Sequence, residues 1–393
     1  MKTDQNRINH LIEYVTGIMN KEDGKELYTK YKSDIDTVVP QEVFEIFYHM
    51  LQKEAAPKDI LVFLDKIINV FYKSLSAYPW QRPEQDSFAG YLMQENKALV
   101  AKLEDIKTIL KEPDFEKRKK ELLPKVQELT AFKQHYLKKE NILFPYLEQK
   151  MEKFNGLAIM WALHDETRLI LKNVIESLEQ NNYSEEELNA ALGSLFFAMH
   201  GLVKKEELIL FPAASEIITP EEWQEMQHQS LEYEFPFIER PASGDIEKES
   251  FAEYKEGYLV KTDTGELQLE QMLMIFNALP VDLTFVDENN KVRFFTRPKD
   301  RIFPRSAAVI GRDVEKCHPP QSVHIVNEII DSFKKGEQEK ASFWINLKGK
   351  MILIQYFALR NDQGVYKGVL EVSQDITEIN GLEGERRLLH WKK

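Results

Sequence analysis

Two stretches of the chain repeat each other: Lys138-Lys139-Glu140-Asn141-Ile142-Leu143-Phe144-Pro145 and Lys205-Glu206-Glu207-Leu208-Ile209-Leu210-Phe211-Pro212. Each ends a helical segment, and Leu-Phe-Pro closes both. His135 stands just before the first copy, and Met160-Trp161-Ala162-Leu163-His164-Asp165-Glu166 lies between the two. A repeated helix end with imidazole and carboxylate one turn apart predicts a four-helix bundle built to hold metal between facing helices.

Working outward, apolar periodicity places the long helices at roughly 86–111, 116–149, 155–181 and 184–211. Ser184-Glu185-Glu186-Glu187 has the form of a capping box at the start of the fourth. Upstream, Pro40 and Pro57 open shorter helices, and Tyr78-Pro79-Trp80-Gln81-Arg82-Pro83 breaks the pattern. Downstream, Arg240-Pro241-Ala242-Ser243-Gly244-Asp245 reads as a linker, followed by a hairpin turn at Asp263-Thr264-Gly265. Strand-like runs at 281–286 and 291–296, a helix at 322–335 and strands at 341–347, 351–359 and 366–374 then make an α+β domain with an antiparallel sheet. The expected architecture is multidomain. It has an all-α N-terminal half, divided into a helical domain (1–80) and a four-helix bundle (81–238), a linker and hairpin (239–268), and a C-terminal α+β domain (269–393).

Composition excludes several functions. The net charge of -13 argues against a nucleic-acid binder and against docking to an anionic membrane. No apolar run approaches the ~18 residues of a transmembrane helix, and the N-terminus lacks a signal-peptide core. A single cysteine, Cys317, excludes an internal disulfide and a Cys-rich zinc site. A cytoplasmic protein is expected. No glycine-rich phosphate loop follows a strand and no Ser or Cys sits in a nucleophile elbow, so no enzymatic activity is expected.

Two resemblances cover most of the chain. Through His135, the two Leu-Phe-Pro helix ends and Trp161-Ala162-Leu163-His164-Asp165-Glu166, residues 85–235 resemble a hemerythrin-type HHE cation-binding domain. Through Gly311-Arg312-Asp313, Cys317-His318-Pro319-Pro320-Gln321-Ser322-Val323 and Asp375-Ile376-Thr377, residues 268–380 resemble a PAS domain. Residues 5–75 resemble the helical domain of unknown function 438. That domain usually carries Cys-Asp-Val-His where this chain has Leu64-Asp65-Lys66-Ile67.

The hemerythrin resemblance implies five His and two bridging carboxylates around two irons. Residues 85–235 contain only His135, His164, His200 and His228, and the first bundle helix, Ser87 to Asn96 at its start, brings none. Measured back from each Leu-Phe-Pro, His135 matches Leu202 and Lys139 matches Glu206. Glu140 lies about 140° around the helix from His135 and is expected to face elsewhere. Two arrangements remain open. His135, His164 and Glu206 hold a single iron or zinc, or Lys139 pairs with Glu206 in a bundle without metal, since an ammonium repels a cation.

The PAS resemblance implies a sensor that holds a small ligand, or a module that dimerises without one. The candidate lining is Phe285, Phe295, Phe333, Phe343, Trp344, Ile345, Tyr356 and Phe357, of which strand alternation turns about half inward. His318 and His324 stand on or just before the helix where heme-binding relatives place a ligating His, and Cys317-His318-Pro319 has the look of a thiol or imidazole ligand fixed by a proline turn. Heme, another small ligand held with Trp344 and Tyr356, or no cofactor all remain open. No output segment is evident after the last strand, so the signal is expected to pass to another chain. That partner is a second copy or a separate effector, reached through 270–277 and the tail 382–391.

Overall fold

The computed structural model describes residues 5–53, 56–180, 183–241, 259–262 and 264–384. The chain forms two compact units, Met1–Ser243 and Gly244–Lys393. Most of the expected linker, from 242 to 258, lies outside the described residues, as does the tail from 385 onward.

The first unit is helical. It opens with α1 (Gln5–Met19), α2 (Gly24–Ile35), α3 (Pro40–Gln52) and α4 (Pro57–Ala77). The first bundle helix is α5 (Phe88–Ile109), capped by the Ser87 hydroxyl, which accepts from the Gly90 amide at 3.1 Å. The second bundle run comprises α6 (Phe115–Glu128), a 3₁₀ turn, α7 (Lys133–Lys138), a π-helical turn over Lys139–Leu143, and α8 (Phe144–Lys150). The third helix is α9 (Ala158–Gln180). The fourth run is α10 (Glu185–Lys205), a second π-helical turn over Glu206–Leu210, and α11 (Phe211–Ser215), before a final α12 (Pro220–Ser230). The Ser184 capping box is present, with Glu187 N–H to Ser184 Oγ at 3.2 Å and Ser184 N–H to Glu187 Oε2 at 2.7 Å.

The repeated sequence is therefore a repeated π turn. Pro145 and Pro212 have no N–H, and in an α-helix their rings would press on the carbonyls of Asn141 and Leu208 four residues earlier. The helix widens instead, with Phe144 N–H reaching back to Lys139 O and Phe211 N–H to Glu206 O. Both wide turns thus begin on a buried charged residue, Lys139 in one and Glu206 in the other.

Residues 1–80, expected as a domain of their own, share one continuous core with the bundle. Ile60, Leu64 and Phe71 belong to the same buried cluster as Leu99, Leu163 and Leu210. The Phe44 ring lies 5.0 Å from that of Phe154. Backbone contact is close enough that a Cβ at Gly156 would stand 2.9 Å from the Phe44 carbonyl oxygen. Lys205 Nζ reaches Asp65 Oδ1 at 2.5 Å.

The second unit carries a short hairpin, β1 (Leu259–Thr262) and β2 (Gly265–Gln268), then α13 (Leu269–Ala278). Its five-stranded antiparallel sheet contains β3 (Asp282–Asp287), β4 (Val292–Phe295), β5 (Lys340–Leu347), β6 (Lys350–Arg360) and β7 (Tyr366–Asp375), in the order β4-β3-β7-β6-β5. Helix α14 (Pro320–Lys335) precedes the last three strands and ends on Gly336, whose φ of 72° suits a left-handed C-cap. Ile330 and Phe333 of α14 close a small core with Val286, Val292, Val309, Val314 and Val369. Among the described residues, no helix is long and apolar enough to cross a membrane.

The shared core of the first unit makes a prediction. Phe44→Ala should destabilise the bundle as well as the N-terminal helices, by about 3–5 kcal/mol, the usual scale for removing a buried Phe. Urea unfolding followed by far-ultraviolet circular dichroism should show the whole helical signal moving to lower denaturant. A separate, unshifted transition for the bundle would contradict it.

Candidate functional site

The apolar stripe of α5 runs Leu92, Leu99, Leu103, Ile106, yet Glu95 and Asn96 interrupt it and are fully buried. Their partners come from the second and fourth bundle runs. Lys138 Nζ pairs with Glu95 Oε1. Glu95 Oε2 meets His135 Nδ1 at 2.8 Å, and His135 Nε2 meets Glu206 Oε2 at 2.9 Å. Asn96 Nδ2 donates to the same Glu206 oxygen at 2.9 Å. Lys139 Nζ pairs with Glu206 Oε1 and lies 3.0 Å from His164 Nε2. His164 Nδ1 meets Glu140 Oε1 at 2.7 Å, and Arg168 joins Glu140 (2.6 Å) to Asp165 (2.9 Å). One ladder of alternating charge crosses the bundle, and Glu95, His135, Lys138, Lys139, Glu140, His164 and Glu206 are all buried.

Hydrogen-bond chemistry assigns the protons. The Lys139 ammonium only donates, so His164 Nε2 accepts and Nδ1–H donates to Glu140. His164 is therefore the neutral tautomer, and burial together with Lys139 and Arg168 holds its pKa well below the usual imidazole range. Both nitrogens of His135 face carboxylate oxygens, and a neutral imidazole has one N–H. A further proton therefore lies on that ring or on one of the two carboxyls. With it, Lys138, Lys139, Arg168 and the proton balance Glu95, Glu140, Glu206 and Asp165. Burial pushes the Glu206 carboxyl up, but Lys139 and His135 outweigh it and hold Glu206 well below the ordinary carboxylate range. Burial pulls the Lys139 ammonium toward its neutral form, and Glu206 opposes that.

The expected metal ligands His135, His164 and Glu206 thus lie in one network, but the Lys139 ammonium sits between His164 and Glu206. Among the described residues, no three His, Cys, Asp or Glu side chains are placed to hold a metal ion. The donor set does not fit the cation. Glu140 corrects the sequence reading. Its angle does separate it from His135, but it turns onto His164 rather than away from the site. His200 bonds Lys107 at 3.3 Å, off the network. Glu95, Asn96, Lys138 and Arg168 were not anticipated. The two polar residues in the apolar stripe of α5 were the available signal.

The second cluster lies on the inner face of the five-stranded sheet of the second unit. Glu371 on β7 stands directly between Thr284 of β3 and Tyr356 of β6. Arg305 Nη2 reaches the Glu371 oxygens at 3.3 and 3.1 Å, and Ser373 Oγ is 3.4 Å from Oε1. Next along the face, Asp282 pairs in register with Ser373. The Arg305 guanidinium is held charged against its own burial by Glu371. Burial, with Glu371 behind it, pushes the Tyr356 phenol up. His318, close enough to Glu371 and Arg305 to feel both charges, is lowered chiefly by burial. Its Nδ1–H donates to Val314 O at 2.8 Å, which leaves Nε2 as an acceptor. Cys317 is half-buried, its sulfur 3.7 Å from Asp313 O.

Of the expected ligand residues, then, Cys317, His318 and Tyr356 lie on or beside this face, whereas His324 and Trp344 do not. His324 is exposed because it precedes Val326 by two residues, about 200° around α14 from the row that continues to Ile330 and Phe333. Trp344 is 68% exposed because β5 is an edge strand and the pleat turns this residue outward, opposite Leu353. Phe343 and Ile345 are also exposed on that strand. Arg305, Glu371 and Asp282 were not anticipated.

Comparison with known proteins agrees with this architecture. Residues 88–214 match the family described as Hemerythrin HHE cation binding domain, and residues 272–377 match the PAS domain family. No curated protein matches the chain. Among solved structures, the chain is similar to a C-terminal domain from Streptococcus mutans, with 30% identity, a TM-score of 0.31, and coverage of 32% of this chain and 98% of that one. It is similar to the PAS domain of a protein from Colwellia psychrerythraea, with 20% identity, a TM-score of 0.24, and coverage of 28% and 98%. It is also similar to a sensory box sensor histidine kinase from Vibrio cholerae, with 14% identity, a TM-score of 0.22, and coverage of 28% and 92%. The chain therefore carries a hemerythrin HHE cation binding domain over residues 88–214, followed by a PAS domain over residues 272–377.

Proposed function

We propose that this is a cytoplasmic sensor or regulatory protein without catalytic activity, whose PAS domain takes a small polar ligand and whose bundle is a scaffold that works without metal. The convergence of the Arg305–Glu371 pair with His318 and Tyr356 on one sheet face carries the ligand reading. A row of ions suits a polar molecule better than a porphyrin. With His324 in solvent, His318 is the single imidazole at this face among the described residues. For the bundle, the support is the Lys139 ammonium at the centre of the buried ladder. The purified protein should show no Soret band and no stoichiometric iron or zinc, and native mass spectrometry should find a small molecule on the PAS unit.

The two bundle readings respond oppositely to one substitution. Lys139→Ala leaves Glu206 buried without its ammonium, so the melting temperature should fall, with a loss of about 3–5 kcal/mol. A chelator should leave the parent's melting temperature unchanged. A chelator-sensitive parent, with Lys139→Ala gaining metal, would overturn the metal-free scaffold.

The neutral state of buried His164 also makes stability depend on pH. Its folded pKa is depressed, while in the unfolded chain the ring takes up a proton near about 6.5. Stability should therefore be complete above that value and fall as the pH drops below it, by up to about 1.4 kcal/mol per pH unit for this one group. Urea unfolding at pH 7.5, 6 and 5 measures the slope, which His164→Gln should reduce.

Signal output is proposed to pass through a homodimer rather than through a separate effector. Helix α13 exposes Met274 and Ile275, and the outer sheet face exposes Trp344. Light scattering should give a dimer mass at tens of micromolar, and Trp344→Glu should lower it toward the monomer. A monomer at every concentration would favour the separate effector.

A further inference from the structure

We propose that the inner face of the PAS sheet binds a small zwitterion, a free amino acid, with its carboxylate on Arg305 and its ammonium on Asp282. This rests on the reading of the PAS domain as a ligand sensor and names the class of ligand.

The pleat puts Asp282 and Thr284 of β3, Glu371 and Ser373 of β7 and Tyr356 of β6 on one face. The segment carrying Arg301 and Arg305 is tied to that face, because Asp282 Oδ2 accepts the amides of Ile302 and Phe303, each at 3.0 Å. Asp282 is only 5% exposed, and its other oxygen, Oδ1, is buried without a partner. An ionised acceptor in that position is costly unless something donates to it.

Arg305 presents the opposite need. Its Nη2 is engaged by Glu371, but among the described residues no acceptor meets Nε or Nη1. A guanidinium offers its donors in a planar fork matched to a carboxylate. His318 Nε2 and the Tyr356 hydroxyl, neither with a partner among the described residues, supply further polar contacts.

Charge then selects the ligand. Asp282 and Glu371 face Arg301 and Arg305, each acid within electrostatic reach of an arginine. The face is balanced before anything binds, so a net cation or a net anion would unbalance it. A plain carboxylate satisfies Arg305 and leaves Asp282 Oδ1 without a donor. A plain amine does the reverse. A molecule with both groups satisfies both and adds no net charge.

The test uses the full chain, with isothermal titration calorimetry and thermal shift against the common amino acids. Isocaproate and isoamylamine serve as the two halves of leucine. At least one amino acid should bind saturably at one site per chain, more tightly than either half. Arg305→Met and Asp282→Asn should each weaken it about tenfold or more, the scale of one charge-assisted hydrogen bond. Arg305→Met should abolish the response to carboxylates while sparing the amine, a split that general loosening of the fold would not produce. Asn retains a carbonyl oxygen for the Ile302 and Phe303 amides, and circular dichroism checks both variants. If a carboxylate or an amine alone binds as tightly as any amino acid, the zwitterion is overturned and the sensor reading survives. If the folded chain binds no amino acid and no small molecule co-purifies with it, both fail.

Discussion

The buried contact between the Lys139 ammonium and the Glu206 carboxylate is the constraint on which the bundle depends. Either ion alone would be expensive to remove from water. Together they cancel, provided that every remaining lone pair and N–H is also met. That condition spreads outward. The second Glu206 oxygen needs His135 and Asn96, His135 needs Glu95, and Glu95 takes Lys138. On the other side, Lys139 fixes His164 as an acceptor, which turns its Nδ1–H to Glu140 and brings in Arg168. The ladder ends where Arg168 and Asp165 approach solvent. Four helical runs are thereby cross-linked through one chain of polar contacts, and the side chains that would hold a metal are already engaged with one another.

The π turns are the backbone counterpart of this ladder. Each prolines-forced widening begins at the residue that carries the central charge, Lys139 or Glu206. The two runs face each other, so the ammonium of one wide turn meets the carboxylate of the other.

The PAS unit handles its interior charges differently. Its apolar core is small, and its inner sheet face carries Asp282 and Glu371 beside Thr284 and Ser373. In the bundle each charged side chain of the ladder meets a partner, although Asn96 Oδ1 and Asp165 Oδ2 are buried without a donor; on the PAS face Asp282 Oδ1 and much of the Arg305 fork are without partners among the described residues. A scaffold is expected to satisfy its own ions, and a binding site to leave some for the ligand.

Much of the architecture was legible in local sequence. The repeated Leu-Phe-Pro ends marked the two bundle runs, and alternating strands separated by turn residues marked the antiparallel sheet, because periodicity and proline act over a few residues. His135, His164, Glu206 and Lys139 could be picked out by position in the repeat, with the Lys139–Glu206 pair as one of two arrangements. Which partner each charge meets could not be read this way. Glu95 reaches His135 from forty residues away and Glu206 from seventy-one, and nothing near any of the three in sequence encodes that distance. The PAS residues make the same division. Cys317, His318 and Tyr356, expected from the helix and strands they flank, lie on or beside the polar face, whereas His324 and Trp344 are exposed, because the rotation of α14 and the edge position of β5 are set by packing. Arg305, Glu371 and Asp282 come from a loop and two strands that become neighbours only when β7 inserts between β3 and β6. Sequence determined the elements and the kinds of charge they carry. Tertiary structure alone decided which charges neutralise each other and which are left without a partner among the described residues, because burial and pairing depend on distances that only the packed chain defines.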